Sequence, residues 1–220
     1  MKPKVIGIVG SPRAGGNTEQ FMKIALNEIK SKGGIDTELI LLRDKEIKPC
    51  IHCRVCRTGN KATCSMKDDF LPIFKKMVKA DGVLLGSPVY FGSAYAKLKA
   101  LIERAGIISE GRNAVNEPIM KGWPHKKGLG LFRRKIGAAI VLTRRTGANF
   151  TLAELLLWFM INNFVVPGST YWAMGLGGIK TNEGEGLSKD VAEKDIEGVE
   201  TIKVLADNVA WLIKGLKGKR

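Results

Sequence analysis

The sequence predicts an α/β fold in which helices cover both faces of a doubly wound, five-stranded parallel sheet. Three observations support this prediction. Short apolar runs alternate along the chain with segments of helical periodicity. The runs are continuously apolar, as in strands that are buried on both faces. Small, glycine-rich loops follow the first and third runs, where an open parallel sheet carries its ligand site. The predicted strands are residues 5–9, 37–42, 82–85, 136–142 and 170–174.

The helices are predicted between and after these strands. From Asn17, taken as an N-cap, apolar residues recur on one helical face until Lys32 and two glycines end the pattern. The other predicted helices are residues 69–80, 94–105, 151–163 and 199–216. Residues 106–134 and 177–190 do not fit the repeat. We interpret them as insertions into a single domain that spans residues 1–220.

Composition excludes several classes of protein. Hydrophobic residues make up 45% of the chain and charged residues 26%, and the mean hydropathy is -0.02, which is typical of globular domains. The longest apolar run, residues 155–161, is far shorter than the roughly 18 residues of a membrane helix. The run at residues 5–9 is too short for a signal peptide. We therefore expect a cytoplasmic protein without a membrane span.

The chain is strongly basic, with a formal net charge of +15. Residues 118–153 contain no Asp or Glu and are rich in Lys and Arg. This charge favours an acidic partner, which could be nucleic acid, an anionic membrane surface or an acidic electron carrier. A solvated basic surface explains the same residues, so charge alone does not select the partner.

The loop after the first strand, residues 10–18, has the sequence GSPRAGGNT and is called here the phosphate loop. Its glycines let backbone amides approach a ligand, and the following helix adds a positive dipole end. It lacks the GK[ST] ending of a nucleotide triphosphate loop and the GxGxxG pattern of a dinucleotide loop. A tight turn with a helix cap is the alternative interpretation. The side-chain donors predicted to bind a terminal phosphate are Ser11, Arg13, Asn17 and Thr18.

The four cysteines lie together in residues 45–67, called here the cysteine loop, between the second strand and the second helix. Their spacing is CxxCxxCx7C, which suits a four-iron cluster, because three closely spaced thiolates and a fourth further on can wrap a cubane. Zinc is the main alternative, although structural zinc commonly uses two separated knuckles. Disulfides fit a cytoplasmic chain poorly. The predicted ligands are Cys50, Cys53, Cys56 and Cys64, and the basic residues around them are Lys48, Arg54, Arg57 and Lys61.

These motifs together resemble a known family. SPRxxGNT after the first strand and SPVYFG after the third are similar to the FMN-phosphate and isoalloxazine loops of NADPH-dependent FMN reductases and iron-sulfur flavoproteins. CxxCxxC with a fourth cysteine between the second strand and second helix is the pattern of the iron-sulfur flavoproteins. The resemblance extends over residues 4–174. It implies a flavodoxin-like fold, FMN, a [4Fe-4S] cluster, and homodimers or homotetramers that place one subunit's cluster near another's flavin.

The resemblance also implies two loops around the flavin ring. In residues 86–92, the ring loop, a tight turn can present amides to the polar ring edge while an aromatic side chain covers its face. Residues 143–149, the basic loop, are more basic than is usual in the family. A cation beside the flavin N1 and C2 carbonyl would raise its potential, a role expected of Arg144 or Arg145, although an exposed arginine pair is equally compatible. The implied ring contacts are Pro88, Val89, Tyr90, Phe91, Gly92, Thr143, Arg144 and Gly147.

The predicted function is electron transfer by an FMN-dependent oxidoreductase. Electrons would pass from a one-electron donor such as ferredoxin through cluster and FMN to an acceptor. The sequence offers no convincing nucleophile, carboxylate pair or Ser/His/Asp set, so no catalytic side chain is predicted. One alternative is an NAD(P)H-dependent FMN or quinone reductase. Another is a zinc-containing basic module that binds nucleic acid, which would show salt-dependent binding.

Overall fold

The computed structural model describes residues 2–58, 62–110, 130–177 and 194–216. Most of the two predicted insertions, residues 111–129 and 178–190, therefore lies outside the described residues. The strands are β1 (Lys4–Val9), β2 (Asp36–Leu41), β3 (Gly82–Tyr90), β4 (Ser93–Ala94), β5 (Ile136–Thr143) and β6 (Met174–Leu176). The helices are α1 (Asn17–Ser31), α2 (Val55–Thr58), α3 (Phe70–Lys79), α4 (Ala96–Ser109), α5 (Ala148–Ile161) and α6 (Ile196–Gly215).

Five strands form one parallel sheet in the order β2-β1-β3-β5-β6, and the two-residue β4 pairs antiparallel with the end of β3. This order matches the flavodoxin-like arrangement, in which ligands bind at the carboxyl edge near the reversal between β1 and β3. The register runs from Val5 opposite Gly82 to Val9 opposite Gly86. The predicted five-stranded parallel sheet is confirmed, with β4 as an addition.

Helices cover the two faces of the sheet unequally. One core cluster packs the sheet against α3, α4 and α5, and it includes Phe74, Leu101 and Phe159. The other packs it against α1 and α6 through residues such as Phe21 and Val209. Each helix turns an apolar side toward strands that are themselves apolar on both sides, which is why the strand runs are continuous in the sequence. Within the described parts of the chain, no helix combines the length and apolar content needed to cross a bilayer.

The fifth strand exists, but the bounds predicted for it, residues 170–174, are wrong. Residues Thr170–Ala173 form a 3-10 turn, and β6 begins only at Met174. Tyr171, Trp172 and Ala173 have φ values of 46°, 59° and 54°, in the left-handed region that a strand cannot use. The aromatic composition favoured a strand by propensity, but the chain turns before it reaches its pairing partner, β5.

The third strand is longer than predicted. Ser87 and Pro88, expected in a loop, still pair with Val141 and Leu142 of β5. Pairing with β1 stops at Gly86, so from there β3 has a neighbour on one side only and tolerates a proline, as an edge strand does. The ring loop is therefore a strand end followed by a tight turn. Two helices also differ at their ends: α4 continues to Ser109, and α5 already starts at Ala148.

Candidate functional site

The phosphate loop leaves β1 and enters α1 with its polar side chains packed inward. Ser11, Asn17 and Thr18 are 4%, 4% and 3% exposed, unusually low for polar residues beside a loop. The Ser11 hydroxyl accepts the Arg13 amide at 3.2 Å, which bends the loop back on itself. Gly15, with φ of 61°, provides the left-handed turn. The loop is thus a compact turn at a helix N-terminus, the arrangement that binds phosphate groups.

Asn17 is not the N-cap of α1. Gly16 takes that position in an extended conformation, and no side chain caps the helix. The Asn17 side chain turns away instead, and its Nδ2 donates to the Gly177 carbonyl at 2.9 Å. The Gly177 amide in turn donates to the Thr143 carbonyl at 2.7 Å. Asn17 therefore connects the phosphate loop to the basic loop through the backbone that follows β6.

Glu19 supports the phosphate loop from beneath, a role that sequence reasoning missed. It is 4% exposed, and its Oε2 accepts the Gly15 amide at 3.0 Å and Arg43 Nη1 at 2.5 Å, while Oε1 pairs with Lys23 at 2.7 Å. Burial opposes its ionisation, but the hydrogen bonds from Lys23, Arg43 and Gly15 outweigh burial and hold the pKa of this carboxyl below its usual value. An ionised carboxylate is thus built into the base of the loop.

The ring loop and the basic loop meet backbone to backbone. A Cβ on Gly147 would lie 2.9 Å from Gly92 Cα and 3.0 Å from a Val89 methyl group, so only glycine permits the approach. Gly147 (φ of 87°) and Gly92 (φ of 77°) are both left-handed. Between β1 and β3, the Gly10 amide donates to the Gly86 carbonyl at 2.8 Å. The phosphate, ring and basic loops are therefore gathered at one edge of the sheet.

The aromatic residues of the ring loop lie at the surface. Tyr90 is 41% exposed and packs edge-on against Tyr95, with 5.6 Å between ring centroids. Phe91 is fully exposed and has a left-handed φ of 50°, an unfavourable conformation for a bulky residue. Arg144 and Arg145 are also exposed. These side chains are placed beside the glycine contact but do not fill the space around it.

A second carboxylate that the sequence did not reveal holds β4, the strand that directly follows the ring loop. Glu154 of α5 accepts the Ser93 hydroxyl and the Ala94 amide, each at 3.0 Å, and pairs with Lys99 at 3.1 Å. Burial opposes its ionisation, but these hydrogen bonds lower the pKa of the carboxyl. Together with the glycine contact, Glu154 makes a prearranged cradle at the carboxyl edge. Buried polar groups at one end and a narrow backbone contact at the other suit a phosphate with an attached flat ring, as in FMN.

The cysteine loop leaves the fold at Glu46 and returns at Asp69. The Glu46 amide donates to the Asp69 carboxylate at 2.9 Å, and the Asp69 amide donates to the Glu46 carbonyl at 3.0 Å. Closer to the cysteines along the chain, the Lys48 amide donates to the Asp68 carboxylate at 2.9 Å. The predicted boundaries of the loop, residues 45 and 67, fall within two residues of this closure.

All four cysteines line one small cavity, together with Arg104 and Ile108 of α4. His52 and Arg54 have left-handed φ values of 53° and 64°, which bend the backbone on both sides of Cys53. Among the described residues, no three His, Cys, Asp or Glu side chains converge tightly enough for a single metal ion. Four thiols around one cavity are the number and type of ligand that an iron-sulfur cluster uses.

The thiols differ in their electrostatic surroundings. The Ser65 hydroxyl lies 3.0 Å from Cys53 Sγ, and this hydrogen bond lowers the pKa of the Cys53 thiol. Burial raises the pKa of the Cys56 thiol, and the neighbouring Cys64, Cys50 and Cys53 raise it further, whereas Arg57 lowers it. The raised pKa of Cys56 thus reflects both its burial and the closeness of the other three sulfurs.

One cleft is lined by residues next to both sites. Pro49, directly before Cys50, lines it together with Pro12 of the phosphate loop and Tyr90 of the ring loop, and α4 contributes residues that include Lys99 and Glu103. The start of the cysteine loop therefore faces the edge at which the phosphate and ring loops meet.

The chain is similar to known proteins over most of its length. The model of the NADPH-dependent FMN reductase family matches residues 3–178. An iron-sulfur flavoprotein of Methanocaldococcus jannaschii is 38% identical over 216 residues, 97% of this chain and 99% of that protein. An iron-sulfur flavoprotein of Methanosarcina thermophila is 29% identical over 219 residues, 99% of this chain and 98% of that protein.

Solved structures agree on the fold. An archaeal flavodoxin superimposes with a TM-score of 0.56 at 13% identity and covers 96% of this chain, with 99% of the flavodoxin covered. At this identity the likeness concerns the fold alone. The sequence matches go further: the chain belongs to the NADPH-dependent FMN reductase family of flavin-dependent oxidoreductases, and within it to the iron-sulfur flavoproteins.

Proposed function

We propose that this protein passes electrons between a one-electron donor such as ferredoxin and an acceptor, through a [4Fe-4S] cluster and FMN. The observation that carries the proposal is the shared cleft, which brings Pro49, beside Cys50, to Pro12 and Tyr90 at the proposed FMN edge. When bound, the cluster supplies a one-electron centre and FMN supplies one that takes one or two electrons. A cytoplasmic location is part of the proposal, because thiolate ligands persist in a reducing compartment.

The residues at the carboxyl edge would hold FMN by its two ends. The phosphate would lie at the N-terminus of α1 among Ser11, Arg13, Asn17 and Thr18, where buried hydroxyl and amide groups and the helix dipole favour an anion. The ring would lie against residues 88–92 and the Gly147 turn, with Tyr90 or Phe91 over its face. Support comes from the unusual exposure and backbone strain of Phe91, which a bound ring would offset.

The four cysteines would hold the cluster over the C-terminal part of α4. Their common cavity supports this assignment, as does the sequence likeness to proteins that are themselves iron-sulfur flavoproteins. The four-iron form is inferred from the count of cysteines and their CxxCxxCx7C spacing.

An acidic one-electron carrier would dock over the exposed side of the cysteine loop. Ile51 is 65% exposed and Val55 38% exposed, and basic side chains, Arg54 and Arg57, flank them. An apolar centre with a basic rim is complementary to an acidic protein surface. With a net charge of +15 on the whole chain, the encounter rate should fall steeply as salt increases.

A homodimer or homotetramer is the proposed working form. Helix α5 is apolar almost all round, which is typical of a helix that is buried on every side. Yet Phe150, Leu157, Met160 and Ile161 are between 63% and 77% exposed. A second copy of the chain would cover this face, which borders the cleft beside Arg54 and Arg57. Replacing Met160 and Ile161 with Glu should halve the mass in sedimentation, whereas Val204→Glu on α6 should leave it unchanged.

A visible spectrum with iron, sulfide and FMN analysis tests the cofactor content. The anaerobic, reconstituted protein should carry one FMN and four irons per chain, with separate flavin and cluster absorbance. Colourless protein with bound zinc and salt-dependent binding to nucleic acid would overturn the proposal in favour of the nucleic-acid module.

The NAD(P)H-dependent FMN or quinone reductase remains the second candidate, and the description of the matched family favours it. Rapid anaerobic mixing separates the two. Fast reduction by ferredoxin with slow flavin bleaching by NADPH is the expected result. Flavin bleaching by NADPH that is faster than reduction by ferredoxin would replace the proposal with the second candidate.

A further inference from the structure

Arg104 is a buried arginine within an otherwise apolar helix face. It lies in α4 between Leu101 and Ile108, all three side chains facing the core cluster or the cysteine cavity. Only 2% of Arg104 is exposed. A buried charge is costly unless it is paired and hydrogen-bonded, so the partners of this guanidinium decide what it does.

Asp68 neutralises the guanidinium with a two-pronged contact. Arg104 Nη1 donates to Asp68 Oδ2 at 2.5 Å, and Nη2 donates to Oδ1 at 3.0 Å, with both side chains at most 1% exposed. Nη1 also donates to the Lys48 carbonyl at 3.0 Å, and the guanidinium stacks 4.0 Å above the ring centre of Phe70. The planar fork of arginine makes these contacts together, which a lysine could not.

The remaining donors of Arg104 are directed to the cysteine site. Nη2 donates to Cys64 Sγ at 3.3 Å. Nε is buried and has no hydrogen-bond partner among the described residues, although Arg104 lines the cavity shared by all four cysteines. A buried ion pair contributes little net stability compared with an apolar replacement, so stability alone does not account for the arrangement. An acceptor in the cavity would use the unpaired donor.

We propose that Arg104 is a positioning residue that fixes Cys64 by a hydrogen bond to its sulfur and thereby raises the reduction potential of the cluster bound there. This inference rests on the proposed function, because it requires a cluster at the four cysteines. Reduction adds an electron to a group already made negative by its thiolates. A hydrogen bond to a ligand sulfur, made inside a cavity of low polarity, stabilises the reduced form more than the oxidised form.

Asp68 has a defined part in this arrangement. It holds the guanidinium through both oxygens and leaves the pair electrically neutral, so the effect on the cluster comes from the directed N–H groups more than from net charge. It also accepts the Lys48 amide, which ties the same ion pair to the base of the cysteine loop. The pair therefore sets both the position of Cys64 and the polarity beside it.

The test is the double variant Arg104→Met/Asp68→Leu, which removes both charges and leaves no carboxylate unpaired. Cluster and FMN potentials are measured in one anaerobic titration, the cluster by electron paramagnetic resonance. We expect the cluster equilibrium to shift by tenfold or more toward the oxidised form, about 59 mV for a one-electron couple, with an unchanged FMN potential. Arg57→Gln is the matched control, because it removes an exposed charge next to Cys56 and should shift the equilibrium several-fold less.

A wild-type cluster potential in the double variant would overturn the proposal. If that variant folds without a cluster, the cluster potential is measured in Arg104→Lys instead. A lysine keeps a positive charge beside Asp68 but cannot make the two-pronged contact to Asp68 and the hydrogen bond to Cys64 together. A lowered potential in Arg104→Lys supports the proposal, and a wild-type potential overturns it. A wild-type protein that binds no cluster would instead defeat the proposed function itself, before any variant is compared.

Discussion

The carboxyl edge of the sheet and the cysteine loop are built by different means. At the edge, neighbouring strand ends are joined by backbone contacts, such as the Gly10 amide to the Gly86 carbonyl and the approach of Gly147 to Gly92. The cysteine loop departs from the fold between Glu46 and Asp69, its described residues contain no regular element besides the four-residue helix α2, and the carboxylates of Asp68 and Asp69 hold its base. The carboxyl edge proposed to bind FMN, called here the FMN edge, is thus formed by the fold itself, whereas the cysteine loop depends on a few contacts and, in our proposal, on the cluster that it binds.

The largest expected effect is the loss of the cluster alone. Cys56→Ser removes one of the four thiolates, so iron and sulfide content should fall by tenfold or more, because three thiolates and a hydroxyl do not complete the site. FMN content should stay at one per chain, since the contacts described for the phosphate loop, such as Gly15 with Glu19 and Asn17 with Gly177, do not involve Cys56. Metal and flavin analysis of the same sample measures both.

Ser65→Ala is the control for this variant. It removes the hydroxyl beside Cys53 but keeps all four thiols, so it should retain most of the iron. If Cys56→Ser also lost its FMN, the carboxyl edge and the cysteine loop would not bind their cofactors independently.

The next effect tests the backbone contact at the FMN edge. Gly147→Val places a side chain 2.9 Å from Gly92 Cα and forces a branched residue into a left-handed conformation. Strain and overpacking together should lower the free energy of unfolding by about 2–5 kcal/mol and weaken FMN binding. Gly168→Ala is the control, because nothing lies within 4 Å of the added methyl group. Equal denaturation midpoints for the two variants would show that the contact between Gly147 and Gly92 has room for a side chain.

Sequence patterns predicted the features that depend on residues close together in the chain. Continuous apolar runs located the first four parallel strands, and the cysteine spacing and the GSPRAGGNT segment marked both candidate sites. The last strand was placed too early, because three left-handed residues at 171–173 overrode a composition typical of strands. The extension of β3 to Tyr90 depends on which neighbour remains beside it, which is a property of the folded sheet.

The supporting residues could not be predicted because their partners are distant in the chain. Arg43 reaches Glu19 across 24 positions, Arg104 reaches Asp68 across 36, and Asn17 reaches Gly177 across 160. A weak signal does exist: Arg104 occupies a position on the apolar face of its helix between Leu101 and Ile108. A charged residue at such a position suggests a buried partner but does not identify it.

A smaller effect should appear in the pH dependence of the free energy of unfolding, through Glu19 beside the phosphate loop. The pKa of Glu19 is lowered in the folded protein, so its ionised form contributes stability that is fully present above the unfolded pKa, about 4.3, and is lost as the pH falls through the folded value. Glu19→Gln keeps the shape but replaces charged hydrogen bonds by neutral ones, at a cost of about 1 kcal/mol at neutral pH. Urea unfolding of the FMN-free protein at several pH values measures this difference.

The two proteins should become equally stable as the pH falls below the folded pKa of Glu19. Glu46→Gln provides the comparison, since that carboxylate pairs with Lys48 at the surface and should change stability little. A constant difference between wild type and Glu19→Gln down to pH 3 would mean that the charge of Glu19 is not what stabilises the Gly15 turn.

The smallest expected effect concerns Arg144, an exposed cation beside the FMN edge, and it contrasts with the buried Arg104 beside the cysteines. Water and salt screen an exposed charge, so Arg144→Ala should change the FMN equilibrium by less than about threefold, and 0.5 M salt should remove the difference. Arg145→Ala serves as the neighbouring control in the same flavin titration. A tenfold or larger shift that persists in salt would mean that Arg144 closes onto the ring when FMN binds. The FMN edge would then be completed by its ligand in the same way as the cysteine loop, and the distinction between the two sites would no longer hold.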